Sequence, residues 1–183
     1  MGVSHGVSQR LAGRFCQQNE IAVCNTFILG SPWEADLIRV TPAWYWVEYE
    51  MKVTVADFKK DFSKSHNYVP PWDWRDGDDW KSHREKHLTK LNKHDSYASP
   101  KNIPGEIPKP KQFYFVTPKD LVELEQVPDH CGLIEWEERP KPHWPRFTIV
   151  KRAPRLKGHS KLTDKQIHNI AVKVSSRWRH LKE

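Results

Sequence analysis

No stretch of the 183-residue sequence is apolar for long enough to cross a membrane, and mean hydropathy is −0.80, which argues against a helical membrane protein. Cysteine is scarce. Cys16, Cys24 and Cys131 are odd in number and far apart, so they form neither a disulfide framework nor a CxxC pair, as suits a reducing cytosol. No basic-then-apolar leader precedes a small-residue cleavage site, so a cytoplasmic location is expected. No internal repeat is visible, which argues against a solenoid or propeller. Aromatic residues, by contrast, make up 11% of the chain, too many for a disordered polar segment.

The length suits one domain with a substantial core. The net charge of +7 is unevenly placed. Residues 1–150 hold 20 Lys+Arg and 21 Asp+Glu, whereas residues 151–183 hold 10 and 2, so the excess lies in the C-terminal segment. Such segregation marks either a surface facing a polyanion or a solvated basic helix.

Val3, Val7, Leu11 and Phe15 recur every four residues and predict a first helix. Three strands follow: Ile21 to Leu29, Glu34 to Thr41, and Trp44 to Thr54, with short connections that imply a meander. Alternation puts Trp46, Glu48, Glu50 and Lys52 on one face of the third strand. Thr54 can cap a helix from about Val55 to Lys64. Residues 66–110 carry 6 of the 14 prolines together with Trp72, Trp74 and Trp80, and read as an insertion in which Asp78 to His94 could be helical. A strand from Gln112 to Thr117, a short helix from Lys119 to Glu125 and strands at Cys131 to Trp136 and Phe147 to Arg152 come next. Thr163 to Gln166 fits a capping box ahead of an amphipathic final helix through Leu181. The order implies an α/β layer fold with a mixed sheet.

The chemistry-bearing feature is Asp36 followed by Glu50-Met51-Lys52 on two adjacent strands. Hydrolysis of a phosphodiester requires a hydroxide near neutral pH and positive charge beside the phosphate oxygens, and a divalent ion held by carboxylates supplies both. Asp36 and Glu50 could hold Mg²⁺ or Mn²⁺ if their strands pair in register, and Lys52 could orient the water or neutralise the phosphate. Glu48 shares the face and could replace or support Glu50. The competing explanation is an ion pair on a solvated sheet face.

Glu34-Ala35-Asp36-Leu37-Ile38 and Val47-Glu48-Tyr49-Glu50-Met51-Lys52-Val53-Thr54 resemble the core of the PD-(D/E)xK nuclease superfamily, most closely its MmcB-like DNA-repair group. The segment Ala56 to Asp61 is similar to that group's helix. Gln112 to Pro118, Pro128 to Glu135 and Val150 to Pro154 are similar to its later strands. The resemblance implies a restriction-endonuclease-like fold: a mixed central sheet flanked by helices, with the Trp/Pro-rich insertion added. It implies one nuclease-like domain with its core at about 5–64 and 111–156; the insertion at 66–110 is foreign to the family, and a basic helical tail follows at 157–183. It further implies Asp36 and Glu50 as metal ligands, the Met51 carbonyl as another, and Lys52 as the catalytic lysine. The implied activity is Mg²⁺- or Mn²⁺-dependent DNA cleavage in repair, recombination or phage and host DNA processing. A non-catalytic DNA- or protein-binding module on the same fold is the alternative. Ala35 stands where the superfamily has its proline, and the first helix lacks an acidic residue, with Glu20 just beyond it.

Lys151, Arg152, Arg155, Lys157, Lys161, Lys173 and Arg177 are the candidate contacts to a DNA backbone, which adds salt-sensitive affinity without reading sequence. Trp72, Trp74 and Trp80 interleave with Arg75, Lys81 and Arg84, suited to stacking on bases or to pinning the insertion on the core. Four aspartates in that segment would repel phosphate and could instead meet a protein partner. His83 and His87, with His94 or His66, could bind zinc, although a surface pair is the simpler reading.

Overall fold

The computed structural model describes residues 3–16, 20–28, 33–68, 89–99, 108–140, 143 and 145–179. Helix α1 (Val3–Cys16) leads into strands β1 (Ile21–Phe27), β2 (Glu34–Val40) and β3 (Trp46–Met51). Helix α2 (Val55–Asp61) precedes a two-stranded ribbon of β4 (Ser65–Tyr68) and β5 (Thr89–Asn92), then the short helix α3 (Lys93–Ala98). Strands β6 (Gln112–Pro118), β7 (Gly132–Glu137) and β8 (Arg146–Lys151) and helix α4 (Asp164–Arg179) follow.

Six strands form one mixed sheet in the order β1-β2-β3-β6-β7-β8. The meander β1-β2-β3 is antiparallel, β6 runs parallel to β3 and β7 to β6, and β8 returns antiparallel. The protein is therefore α/β, with a mixed six-stranded sheet flanked by helices. Among the described residues no helix is long and apolar enough to cross a membrane.

Strand β3 reads Trp-Val-Glu-Tyr-Glu-Met and is buried throughout, because both faces of the sheet are covered. On one face Val47, Tyr49 and Met51 cluster with Val7 and Leu11 of α1. Burying each of those two helix side chains contributes about 1.5–3 kcal/mol before conformational costs. On the other face Trp46 joins Ile38, Val40, Leu162 and Ile170 beneath α4. Beside it, Phe113, Phe115 and Leu133 pack with Phe58 of α2 and Tyr97 of α3. Glu48 and Glu50 point into this second, covered layer. Gly132 opens β7 where a Cβ would meet the Tyr114 ring at 2.4 Å, so only glycine fits there.

The capping expectations correspond to observed hydrogen bonds. The Asp57 N–H donates to Thr54 Oγ1 at 3.1 Å, and Thr163 and Gln166 exchange the two bonds of a capping box. Several boundaries differ from the sequence reading. Helix α2 stops at Asp61 rather than Lys64. Residues 119–125 are not a short helix: Asp120 takes a left-handed φ of 58° in a turn, and one 3₁₀ turn covers Leu124–Gln126. Thr89–Asn92 is a strand rather than helix, and helix begins at Lys93 because the Asn92 side chain accepts from the His94 and Asp95 N–H groups. Trp72, Trp74, Trp80, Arg75, Lys81, Arg84, His83 and His87 lie outside the described residues.

Candidate active site

Strands β2 and β3 pair with Leu37 opposite Tyr49 and Ile38 opposite Glu48. One further step of that register puts Asp36 opposite Glu50. Asp36 Oδ2 accepts the Met51 N–H at 2.7 Å, which ties the two strand ends together. Both carboxylates line a cavity of about 310 Å³ with Trp33, Glu34, Asp61, Lys64 and Lys93.

Three lysines thread these acids together. Lys52 Nζ donates to Glu50 Oε1 at 2.9 Å and to Asp61 Oδ1 at 2.7 Å. Lys93 Nζ donates to Glu50 Oε2 at 2.9 Å and forms an ion pair with Glu48. Lys64 Nζ reaches Asp61 Oδ1 at 3.1 Å from a more exposed position. The Tyr97 hydroxyl donates to Glu48 Oε2 at 2.7 Å, and His94 Nε2 lies 2.8 Å from Asp61 Oδ2.

Local sequence explains why these groups converge. Phe58 and Asp61 are three apart on α2 and both face inward, so the Phe58 packing on Phe115 at 4.9 Å also sets Asp61 against Lys52. Lys93 and Tyr97 are four apart on α3 and both reach Glu48. Asn92 anchors this helix by donating to the Phe62 and Lys64 carbonyls at 2.7 and 3.1 Å.

The charges are strongly coupled. Burial opposes ionisation of Glu50, but Lys93 and then Lys52 outweigh it and hold the carboxyl below its usual range. Burial likewise opposes the Asp61 charge, and the His94 hydrogen bond and Lys52 overcome it, so Asp61 is held low. For Lys52 and Lys93 burial would favour the neutral amine, yet their carboxylate partners raise both, and both stay protonated. Burial raises Glu48 despite Lys93. Asp36 differs from the paired acids: burial and then the neighbouring Glu50 push it up to about 6.

A hard divalent ion takes oxygen donors. Asp36 and Glu50 offer them at the cavity wall, and the elevated Asp36 carboxyl beside a second acid is the kind of site such an ion relieves. The donor set therefore fits Mg²⁺ or Mn²⁺, with the Met51 carbonyl at the same strand end. Helix α1 contributes no acid, and Glu20 is engaged with Arg39 at 3.5 Å.

The basic residues of the C-terminal segment divide into two groups. Lys151 Nζ donates to the Val127 and Pro128 carbonyls at 2.8 and 2.9 Å, and Lys173 Nζ to the Asn25 carbonyl at 2.7 Å. The Lys151 ammonium is engaged by a loop and the Lys173 ammonium by β1 at Asn25, whereas contact with a DNA backbone was the role expected for both. Arg155 and Lys161, with Lys111, instead gather over the Tyr45 ring at 5.9, 5.5 and 5.2 Å. The Leu156 N–H donates to Lys111 O and the Leu162 N–H to Trp44 O, which draws residues 156–162 across the start of β3 and β6. Tyr45 is five residues before Glu50, so this cluster lies roughly 16 Å along the strand from the acids. Arg152 and Lys157 are exposed, and the Arg177 side chain lies outside the described residues.

Sequence reasoning pointed to Asp36, Glu50 and Lys52; the fold brings Asp36 and Glu50 to one cavity wall and sets the Lys52 ammonium against Glu50. It missed Asp61, Lys93 and Tyr97 as site residues. The inward Phe58/Asp61 spacing was readable, whereas the destination of α3 was not.

No family model matches the chain, and no curated protein matches it. Among solved structures it is similar to a protein of unknown function from Silicibacter pomeroyi, with a TM-score of 0.56 and 16% sequence identity, covering 96% of this chain and 88% of that one. That likeness shows a shared fold.

Proposed function

We propose that this chain is a Mg²⁺- or Mn²⁺-dependent deoxyribonuclease of PD-(D/E)xK type on a restriction-endonuclease-like fold. The observation that carries the reading is the placement of Asp36 and Glu50 on paired strands at one cavity, with the Lys52 ammonium 2.9 Å from Glu50. An ion held by Asp36 and Glu50 would lower the pKa of its water and offset charge on the scissile phosphate.

The protein's own groups have distinct roles in this reading. Lys52 stays protonated between Glu50 and Asp61, so it donates to the water or a phosphate oxygen and is not a general base. Asp61 positions that ammonium. Lys93 adds a second fixed cation beside Glu50, where an acid from α1 is lacking. Lys111, Arg155 and Lys161 would meet the DNA backbone away from the cleaved bond, and the 66–110 segment is where a protein partner would bind.

Cleavage of labelled single-stranded, duplex and branched DNA with Mn²⁺ tests the proposal. Wild type should cut at least one substrate, and D36N, E50Q and K52M should each lose about 100-fold or more in rate, the scale of removing a preorganised electrostatic group. Intact DNA throughout would overturn it.

A non-catalytic binding module is favoured by one observation: both Glu50 oxygens already meet ammoniums. Calorimetry separates the readings, because a module would show no Mn²⁺ affinity that E50Q removes.

A further inference from the structure

A separate group of ligand atoms lies behind Asp61. His94 Nδ1 is 3.2 Å from His130 Nε2 and 4.0 Å from Cys131 Sγ, and the three atoms all lie within 4.8 Å of one another. His94 and Cys131 are buried, and His130 is half-buried. We propose that His94, His130 and Cys131 form a second metal site, for a borderline transition ion whose ligand preferences Zn²⁺ matches, with a further coordination position left for water.

The donor chemistry separates this site from the one at Asp36 and Glu50. Two imidazole nitrogens and a thiolate select borderline or soft ions and discriminate against Mg²⁺. Tetrahedral zinc with its usual bond lengths holds two nitrogens about 3.3 Å apart and nitrogen and sulfur about 3.6 Å apart. The His94–His130 separation already matches, and the sulfur must close on His94 by a few tenths of an ångström and on His130 from within 4.8 Å.

The surroundings position the imidazoles and the loop, whereas burial pushes the Cys131 thiol up, so the ion itself must displace its proton. Asp61 Oδ2 sits 2.8 Å from His94 Nε2 and accepts its proton, which leaves the Nδ1 lone pair facing His130 and Cys131. The His94 ring is wedged against Phe62, Phe113 and Phe115, with centroids at 4.6, 5.5 and 5.5 Å, which restricts its rotation. The loop carrying the other two ligands is braced from below: Lys151 ties down the Val127 and Pro128 carbonyls, and the Cys131 N–H closes a turn on Pro128 O at 2.9 Å. Binding would release the Cys131 thiol proton, while the proton between the two facing imidazole nitrogens would move to Nδ1 of His130, leaving both rings neutral.

Such an ion would pin α3 to the loop before β7. It would also tighten the His94–Asp61 hydrogen bond and so fix the acid that holds Lys52. The inference does not rest on nuclease activity.

Titration of the metal-free full chain with Co²⁺, read in the near ultraviolet and visible, tests it. Wild type should develop a thiolate-to-cobalt charge-transfer band, and Zn²⁺ should abolish it. C131S should lose the band. H130A should keep the far-ultraviolet circular dichroism of wild type but bind more weakly by over about 100-fold, since even partners outside the ligand set matter 10–100-fold. D36N and E50Q should keep the band. A missing band in wild type, a band that survives in C131S and so belongs to Cys16 or Cys24, or unchanged affinity in H130A would each overturn the proposal.

Discussion

The ammonium of Lys52 lies 2.7 Å from Oδ1 of Asp61, an acid nine residues later at the end of α2, and both side chains are almost fully buried. This contact makes the lysine a fixed cation. Glu50 and Asp61 together raise its pKa above the usual lysine range, so no accessible pH near neutrality frees its lone pair.

Substituting Asp61 should expose the strength of that coupling. In D61N the buried Lys52 ammonium keeps only one anionic partner, Glu50, and the single amide oxygen can accept from Lys52 or from His94 but not from both. The expected loss is about 3–5 kcal/mol of folding stability, measured by urea unfolding at pH 7. The double variant K52M/D61N should be less destabilised than the sum of its single changes, by about 0.5–3 kcal/mol, because the partners act as a unit.

Asp36 gives a pH signature. Its carboxyl is raised to about 6 by burial and then Glu50, so the folded chain holds a proton that the unfolded chain releases near pH 4. The Asp36 contribution to stability in chelator therefore falls as pH rises from roughly 4 to 6 and stays reduced above that window. D36N should be more stable than wild type at pH 8 by about 1–3 kcal/mol, and the difference should vanish below pH 4. Thermal unfolding across pH checks both. Mn²⁺ should raise the wild-type Tm at pH 8 and leave D36N unmoved.

Lys93 divides metal affinity from catalysis. K93M frees Glu50 Oε2 and removes a repelling charge, so Mn²⁺ affinity by calorimetry should rise. DNA cleavage should nonetheless fall by about tenfold or more, because the second fixed cation is lost. Equal losses of affinity and rate would instead mean that Lys93 only supports the fold.

The Tyr45 cluster should grip phosphate without taking part in cleavage. In K111A/R155A/K161A the slope of log binding constant against log salt should shrink by about 2–3, near 0.9 for each lost contact with duplex DNA. Cleavage at saturating DNA should be unchanged. K151A should leave the salt slope intact and lower the Tm, since its ammonium holds the Val127 and Pro128 carbonyls.

Much of the local architecture was legible. The Val7/Leu11 stripe, the alternation along β3 and the caps at Thr54 and Thr163 depend on neighbours within four residues, and each corresponds to a contact in the structure. The turn at Asp120 was not legible: Lys119 to Glu125 has helical composition, but the Lys119 N–H is drawn to Trp136 O across the sheet. Lys93 and His94 are comparable cases, because a polar segment after a proline-rich stretch looks solvated until one knows that Glu48, Glu50 and Asp61 wait beneath it.

Sequence alone, then, determined the six strands of the main sheet, the basic C-terminal excess, and the candidacy of Asp36, Glu50 and Lys52. Those readings rest on period-two and period-four patterns that the backbone imposes locally. Only the tertiary structure decided that the acids face a covered layer, that Asp61 and Lys93 complete their charge balance, and that Lys151 braces a loop and Lys173 the strand β1. Pairing across 43 residues, as between Glu50 and Lys93, follows from how α3 packs under the sheet. No local pattern encodes it, since burial of that helix decides which charges can do without water.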